Sequence, residues 1–365
     1  LESYASFSRF RQSSRQWRVM HEGRLTTSIA AGALGILEPV AAGKLGIPMS
    51  LSGNSKARHA FFHLQSSPSF MSLEAARVQL VDSNHDNKEA VLLQPEELVD
   101  EGVWESPTQA DRSRGWNMSY AATREYLGKS KDRMAYGNLQ EATAVLIAVN
   151  HFSKHNCTIQ ECGMFSGEAL LECRGTFSIA PMIEKQFDIL GELYAVGCPI
   201  GASPDGIIVS NDLKVVQTLE VKNHLFLNAS ALASFQSISP WYVPQMQLEM
   251  AMVGPHCKSA ILVRLSSTKG AVIMKMKRDD EYILMMFQHF LNFYKQFVCR
   301  GLVPPENFNH SEEFQKLVKR TKQIAARSLM IRRLSARQVQ RSPSFWKCSN
   351  PVKSKSNTHH VVVDW

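Results

Sequence analysis

The sequence predicts an α/β fold in which helices flank a central mixed β-sheet. Two pairs of short apolar segments, each pair separated by turn residues, predict antiparallel hairpins at 207–221 and 260–276. Apolar residues at helical spacing predict helices before, between and after these hairpins, at 132–152, 239–252 and 279–298. The hydrophobic fraction of 44% in 365 residues is sufficient to bury a core of this kind.

The remaining elements follow from the same patterns in chain order. Residues 15–37 predict a strand or loop followed by a helix that Ser28 caps. The stretch 38–70 is rich in Gly, Pro and Ser and predicts loop, and 71–115 predicts one helix at 72–81 within polar, acidic loop. The other predicted elements are a helix at 118–127 and strands at 158–165, 193–196, 207–209, 215–221, 260–265 and 271–276.

Four regions are predicted along the chain: an N-terminal element at 1–37, an insertion at 38–116, the core at 117–310 and a basic tail at 311–365. The net charge of +8 comes from the tail, because 316–365 holds twelve Lys and Arg residues and a single acid. Such a segment is typical of phosphate-backbone binding through counterion release, of a localisation signal, or of a solvated extension.

Seven cysteines at irregular spacing, with no C-x-x-C pair, predict mostly buried thiols in a reducing intracellular compartment. A four-cysteine iron–sulfur site is the alternative. The first residues combine arginines with serines, as transit peptides do, so the nucleus or a mitochondrion is the expected compartment in a eukaryote. No run of about eighteen apolar residues occurs, so no membrane association is predicted.

The segment Leu219-Glu220-Val221-Lys222 lies on the second strand of the hairpin predicted at 207–221 and carries candidate catalytic residues. On a strand, Glu220 and Lys222 point to one face while Leu219 and Val221 point to the other. Pro204-Asp205-Gly206 is a turn signal that leads into the other arm, so the hairpin folds Asp205 toward Glu220. Two such carboxylates repel each other and require a cation, and oxygen ligands with open water positions suit Mg²⁺ or Mn²⁺. A turn and a surface ion pair are the alternative interpretation.

Two further residues are candidates for the same site. Glu141 lies on the helix predicted at 132–152, where the alternative is a solvated glutamate. Gln245 and Gln247 follow Tyr242 and direct their amides either at the site or at solvent. Trp116 and Trp241-Tyr242 are candidates for stacking on bases or for core packing. His59 and His63 are four residues apart, the spacing of two metal ligands on a helix, but no acidic partner accompanies them.

The order of these motifs resembles the phage lambda exonuclease and YqaJ-like viral recombinase family of PD-(D/E)XK nucleases. The matching segments are Gly23-Arg24-Leu25-Thr26-Thr27-Ser28, Arg133-Met134-Ala135-Tyr136-Gly137 with Glu141, Ser203-Pro204-Asp205-Gly206, Leu219-Glu220-Val221-Lys222, and Tyr242-x-x-Gln245-x-Gln247-x-x-Met250. The resemblance covers about 130–300 and 17–37, and it implies a restriction-endonuclease-like core with the 207–221 hairpin at one edge of a cleft.

The resemblance also implies roles for individual residues. Asp205 and Glu220 would bind the catalytic metal with the carbonyl of Val221, and Glu141 would support a second ion, so two Mg²⁺ ions, replaceable by Mn²⁺, are expected. Lys222 would orient or deprotonate the attacking water, and Gln245 would position Lys222 and the hydrated site.

The N-terminal segment Thr26, Thr27 and Ser28 would bind a terminal 5′-phosphate at a helix N-terminus, with a plain helix cap as the alternative. The family usually places an arginine where this sequence has His21, so Arg18 and Arg24 are the candidate replacements. The insertion at 38–116 is a second departure from the family pattern.

These features together predict Mg²⁺-dependent digestion of duplex DNA ends, 5′ to 3′, in recombination or repair. A single-strand annealing protein and a ring-shaped oligomer are the partners that the resemblance implies. Three alternatives remain: a structure-specific or nicking endonuclease on the same fold, a catalytically silent DNA-binding recombination protein, and a nuclease acting on RNA or single strands.

Overall fold

A computed structural model describes residues 14–65, 130–177, 180–212, 216–224, 237–266 and 269–341. The helices predicted at 72–81 and 118–127, as well as Trp116, lie outside these ranges.

The described N-terminal elements up to residue 65 are helical, and both helices and strands occur after residue 130. The helices are α1 (Arg15–His21), α2 (Thr27–Leu34), α3 (Pro39–Leu45), α4 (Ser55–Gln65), α5 (Ser130–Phe152), α6 (Gly167–Glu172), α7 (Pro181–Ala195), α8 (Val243–Val253), α9 (Asp280–Phe293), α10 (Glu312–Ala326) and α11 (Ala336–Arg341). The strands are β1 (Cys157–Gln160), β2 (Phe165–Ser166), β3 (Gly201–Ala202), β4 (Gly206–Ser210), β5 (Val216–His224), β6 (Cys257–Ser266), β7 (Gly270–Lys277) and β8 (Leu329–Leu334).

Six of these strands form one mixed sheet in the order β1-β4-β5-β6-β7-β8, and β2 pairs separately with β3. Neighbours in the large sheet are antiparallel except β5 and β6, which run parallel. The parallel pair follows from the helix α8 between them, because parallel strands need a long crossover connection. The predicted mixed α/β fold with flanking helices is therefore confirmed.

Both predicted hairpins are present, as β4–β5 and β6–β7, each slightly longer than its apolar run. The predicted helix at 279–298 is also present, with Asp279 accepting a hydrogen bond from the amide of Tyr282 at its start. Its last turn, Tyr294–Val298, is a π-helix.

Both faces of the sheet are covered by helices. Leu219 and Val221 pack in a smaller core with Ala144 and Ile147 of α5. Val216, two strand positions before Thr218, belongs instead to the larger core with α2, α8 and α9. Because alternate residues of a strand point to opposite faces, Glu220 and Lys222 face the larger core and not solvent.

Three predicted elements were wrong. The stretch 38–70 contains helices α3 and α4, with Pro39 at the first position of α3 and a left-handed Gly46 at its end. The segment predicted as a strand at 193–196 is the end of α7, which the left-handed Gly197 follows. The basic segment after 311 is not a solvated extension up to residue 341, since it forms α10, β8 and α11.

In the described ranges, no single helix has the length and apolar composition to cross a membrane. The bent pair α2 and α3, at 105° to each other, meets those two criteria only when the helices are taken together.

Candidate active site

The β4–β5 hairpin brings Asp205 to the strand that carries Glu220 and Lys222. Gly206 pairs with Leu219, so Asp205 lies directly before the ladder and opposite Glu220. The amide of Val221 donates a hydrogen bond of 2.6 Å to Oδ2 of Asp205. The predicted convergence of these residues is thus present in the structure.

Glu220 and Lys222 form an ion pair between Nζ and Oε1 inside the fold rather than on its surface. Glu220 is only 3% exposed, and the Lys222 side chain is 30% exposed. Nζ of Lys222 also lies 5.9 Å from the ring centroid of Tyr242, a cation–π distance. Because the Glu220 carboxylate is buried, its pair with Lys222 is not the ordinary surface ion pair that was the alternative interpretation of these two residues.

Several carboxyl groups lie close together in the site and shift the pKa values of its residues. Burial, followed by repulsion from Glu220, raises the pKa of Asp205 well above its usual range, while Lys222 and the Val221 amide oppose the shift. Burial alone would lower the pKa of Lys222, but attraction to Glu220 and Asp205 outweighs it and leaves that pKa raised. Lys222 is therefore an ammonium at neutral pH when no metal is bound.

Helix α8 adds a residue that the sequence argument missed. Nε2 of Gln245 donates a 3.0 Å hydrogen bond to Oε1 of Glu249, whose side chain is completely buried. The carboxyl of Glu249 also lies within hydrogen-bonding reach of Glu220, an interaction that requires a proton on one of the two. When both are ionised, Oε2 of Glu249 has no donor among the described residues.

The spacing of Gln245 and Glu249 is the signal that could have identified this acid. Residues four apart lie on the same face of a helix, so a glutamate one turn after Gln245 points to the same site. Gln247 is turned elsewhere, because it donates to the carbonyl of Lys277 and accepts from the amide of Asp279.

Glu141 lies at the margin of the same site. It is exposed on α5, yet its charge contributes to the raised pKa of Asp205, which places the two carboxylates near each other. The site thus gathers the carboxyls of Asp205, Glu220, Glu249 and Glu141 around the single ammonium of Lys222.

Such a set of oxygens fits a hard divalent cation. In the described part of the chain, no three His, Cys, Asp or Glu side chains stand ready-arranged around one point as a metal site. The Lys222 ammonium engages Glu220 and the Val221 amide engages Asp205, so these donors hold the two central carboxylates. Oε2 of Glu249, which lacks a donor among the described residues, and the excess of buried acids over the Lys222 ammonium are the observations that favour a cation here.

The N-terminal helices reach this site through Trp17. Its indole Nε1 donates a 3.0 Å hydrogen bond to Oγ of Ser203, whose hydroxyl in turn donates to the carbonyl of Gly163. The predicted cap by Ser28 is wrong, because α2 begins at Thr27 and its N-cap residue is Thr26, which makes no side-chain capping hydrogen bond. The Thr26 hydroxyl is instead 3.0 Å from Nε2 of His21 and 3.0 Å from the hydroxyl of Ser28.

The two arginines predicted to replace the family's phosphate-binding arginine differ in their placement. Arg24 is buried, and its guanidinium binds both carboxylate oxygens of Glu168 at 2.7 and 2.9 Å and the carbonyls of Met20 and Ile200. In this conformation Arg24 is a structural residue and is not presented to a ligand. Arg18 is exposed.

His21 does not supply the missing charge at neutral pH. Burial, and then the nearby His63 and Arg24, lower its pKa to about 4. Thr27 is half-buried and Ser28 is exposed at the start of α2. Their role as phosphate ligands stays a prediction.

Replacing Glu249 by glutamine should stabilise the metal-free protein. The raised pKa of Glu249 means that the folded state takes up a proton that the unfolded state releases above its ordinary pKa of 4.5. Wild-type stability therefore falls as the pH rises above that value, whereas the glutamine variant lacks this loss. We expect a gain on the order of 1–3 kcal/mol in the free energy of unfolding near pH 8, and little gain near pH 4.

Urea unfolding in a chelator at both pH values measures this difference. Glu184→Gln is the matched control, because Glu184 is exposed on α7 and pairs only at the surface, with Arg174. A Glu249→Gln protein less stable than wild type near pH 8 would show that the buried carboxylate is well compensated.

Comparisons with known proteins add little to this geometry. No protein-family model matches the sequence, and no curated protein matches it. A crystal structure of an alkaline exonuclease from Laribacter hongkongensis aligns with 60% of this chain and 92% of that chain, at 16% identity and a TM-score of 0.31. The functional assignment therefore rests on the geometry of the site.

Proposed function

We propose that this protein is a metal-dependent deoxyribonuclease that hydrolyses phosphodiester bonds from duplex DNA ends, 5′ to 3′, in recombination or repair. The observation that carries the proposal is the buried β4–β5 hairpin, on which Asp205, Glu220 and Lys222 converge. The order of motifs in the sequence supports the same reaction, the metal-dependent hydrolysis of phosphodiester bonds.

The metal would be held by the carboxylates of Asp205 and Glu220 with the carbonyl of Val221, and Glu141 would support a second ion. Mg²⁺, or Mn²⁺ in its place, supplies Lewis-acid activation of water and stabilises charge on the phosphoryl and leaving oxygens. Oxygen-only donors of this kind match those ions better than they match zinc.

The residues of the chain supply orientation and charge. Lys222, an ammonium in the metal-free site, donates hydrogen bonds and would so orient the attacking water or the phosphate. Gln245 acts through Glu249, because its amide donates to that carboxyl. In the reaction, the water oxygen bonds to phosphorus, one P–O ester bond breaks, and the leaving oxygen takes up a proton.

The test uses end-labelled linear duplex, with and without a 5′-phosphate, beside a covalently closed circle. With Mg²⁺ we expect the linear duplex to be degraded, faster when 5′-phosphorylated, and the circle to remain intact. A chelator should stop the reaction. Equal rates on both linear substrates would remove the phosphate role of Thr26, Thr27 and Ser28 while leaving the metal site in place.

Other outcomes select other functions. Cleavage of the closed circle would assign an endonuclease, and a gel shift of the duplex without any cleavage in Mg²⁺ or Mn²⁺ would assign a silent DNA-binding protein. Degradation of RNA or single strands in preference to duplex would overturn the proposed substrate.

A further inference from the structure

The chain from Lys316 to Arg341 holds nine Lys and Arg residues and no acid, and the structure shows where this charge lies. This segment forms α10, β8 and α11. Strand β8 is the last strand of the large sheet and pairs only with β7 among the described strands. The charge is therefore part of the folded structure, and Arg332 and Arg333 lie on the sheet that carries the candidate active site.

The strand register connects β8 to Lys222. Lys222 pairs with Arg264 of β6, Arg264 pairs with Val272 of β7, and Val272 pairs with Arg333 of β8. Residues in register across a sheet point to the same face, so Arg333 shares the face and the strand end of Lys222. Three strand spacings separate the two residues, which amounts to about 14 Å.

The row of paired residues Lys222, Arg264, Val272 and Arg333 is buried in its middle and exposed at its end on β8. Arg264 and Val272 are buried, whereas Arg333 is exposed. No carboxylate of the described residues pairs with Arg333. Its neighbour Arg332 points to the opposite face, in register with Ile273 of the smaller core.

The turn that follows β8 is held firmly at the same end of the sheet. A side chain at Gly270, the first residue of β7, would clash with the carbonyl oxygen of Leu334 and with the backbone of Ser335. Only glycine allows this approach, and its φ of +84° is also in the left-handed region. The turn carries the chain into α11, whose Val339 packs in the smaller core on the opposite face of the sheet, so that Arg333 is the last exposed basic residue of this row.

We infer that the exposed Arg333 binds the phosphate backbone of duplex DNA at a point away from the bond that is cut. The inference rests on the proposed function, since it takes Lys222 as the marker of the reacting phosphate. A separation of about 14 Å corresponds to roughly four nucleotides along one strand of a duplex. Charge complementarity selects this occupant, because an exposed arginine without a carboxylate partner among the described residues, on the same face as a phosphate-cleaving centre, suits a polyanion.

The test measures the binding of a labelled linear duplex in a chelator, so that no cleavage occurs, from about 50 to 200 mM salt. We expect Arg333→Ala to reduce the slope of log affinity against log salt by about 1. With Mg²⁺, the KM for duplex should rise while kcat stays unchanged.

Arg332→Ala is the matched control, because it removes the same charge from the same strand on the opposite face. An unchanged slope in the Arg333→Ala variant, or an equal loss in Arg332→Ala, would overturn the inference. A change in oligomeric state with an unchanged slope would instead identify the surface as a protein contact and would also overturn it.

The two proposals fail separately in this experiment. If wild type cleaves DNA but the Arg333→Ala variant keeps its salt slope, the inference is wrong and the proposed function stands. If wild type never cleaves but the slope falls as expected, the basic surface binds DNA and the proposed nuclease activity is wrong.

Discussion

Asp205→Asn should reduce Mg²⁺-dependent cleavage of linear duplex by about a thousandfold or more, while duplex binding in a chelator stays within about twofold of wild type. The substitution keeps the shape of the side chain and its ability to accept from the Val221 amide, but removes one of the two central negative charges. Loss of a charge needed for a metal acts on the chemical step, so kcat should fall and not only KM.

Asp188→Asn is the matched control for this prediction. Asp188 is an exposed aspartate on α7 that pairs at the surface with Arg174, and its replacement should leave cleavage unchanged. Single-turnover rates of both variants, with unfolding midpoints as a check on folding, separate chemistry from stability. Cleavage by Asp205→Asn at the wild-type rate would show that the hairpin is not the catalytic centre.

Strand periodicity was sufficient to predict the central part of the site. The alternation of apolar and polar residues in Leu219-Glu220-Val221-Lys222 fixes which side chains share a face, and the turn residues before β5 fix its antiparallel partner. Together these local rules place Asp205 opposite Glu220. Helix α9 was predictable for the same reason, because its acidic first turn and apolar stripe are local signals.

Other parts of the fold depend on contacts that no local pattern reveals. Glu220 faces α8 and is buried, so its face of the sheet is a second core, whereas the alternating pattern suggested a solvated surface. Glu249 resembles an ordinary helical glutamate until α8 is placed over β5. Strand β8 combines three exposed apolar residues with two arginines, and only its pairing with β7 distinguishes it from a solvated tail.

Arg24 shows the same limit at the N-terminal element. The sequence presents it as a candidate ligand for a terminal phosphate, because it lies in the segment Gly23-Arg24-Leu25-Thr26-Thr27 near a helix start. Its partner Glu168 is 144 residues away, so the ion pair that buries it could not be read from the sequence. Long-range pairing decided the role of the side chain here, and the local motif did not.

Glu168→Ala should destabilise the protein by about 3–5 kcal/mol, the second large effect we expect. The Arg24 and Glu168 side chains are 2% and 7% exposed, so removing the acid leaves a buried guanidinium without its bidentate partner. Urea unfolding at neutral pH measures the loss. Glu192→Ala, which breaks the exposed pair with Lys295 at 3.7 Å, is the matched control and should cost under about 1 kcal/mol.

A double substitution separates the charge from the packing. Arg24→Met with Glu168→Leu removes both ions together, so its stability should lie well above that of Glu168→Ala alone. A double variant as unstable as the single one would mean that the pair contributes through its other hydrogen bonds, to the carbonyls of Met20 and Ile200. Those bonds, together with the bridge between Leu25 and Ile200, join α1 and α2 to the strand before Ser203. Activity of the folded double variant on 5′-phosphorylated duplex would then test whether this junction also positions the N-terminal helices at the catalytic hairpin.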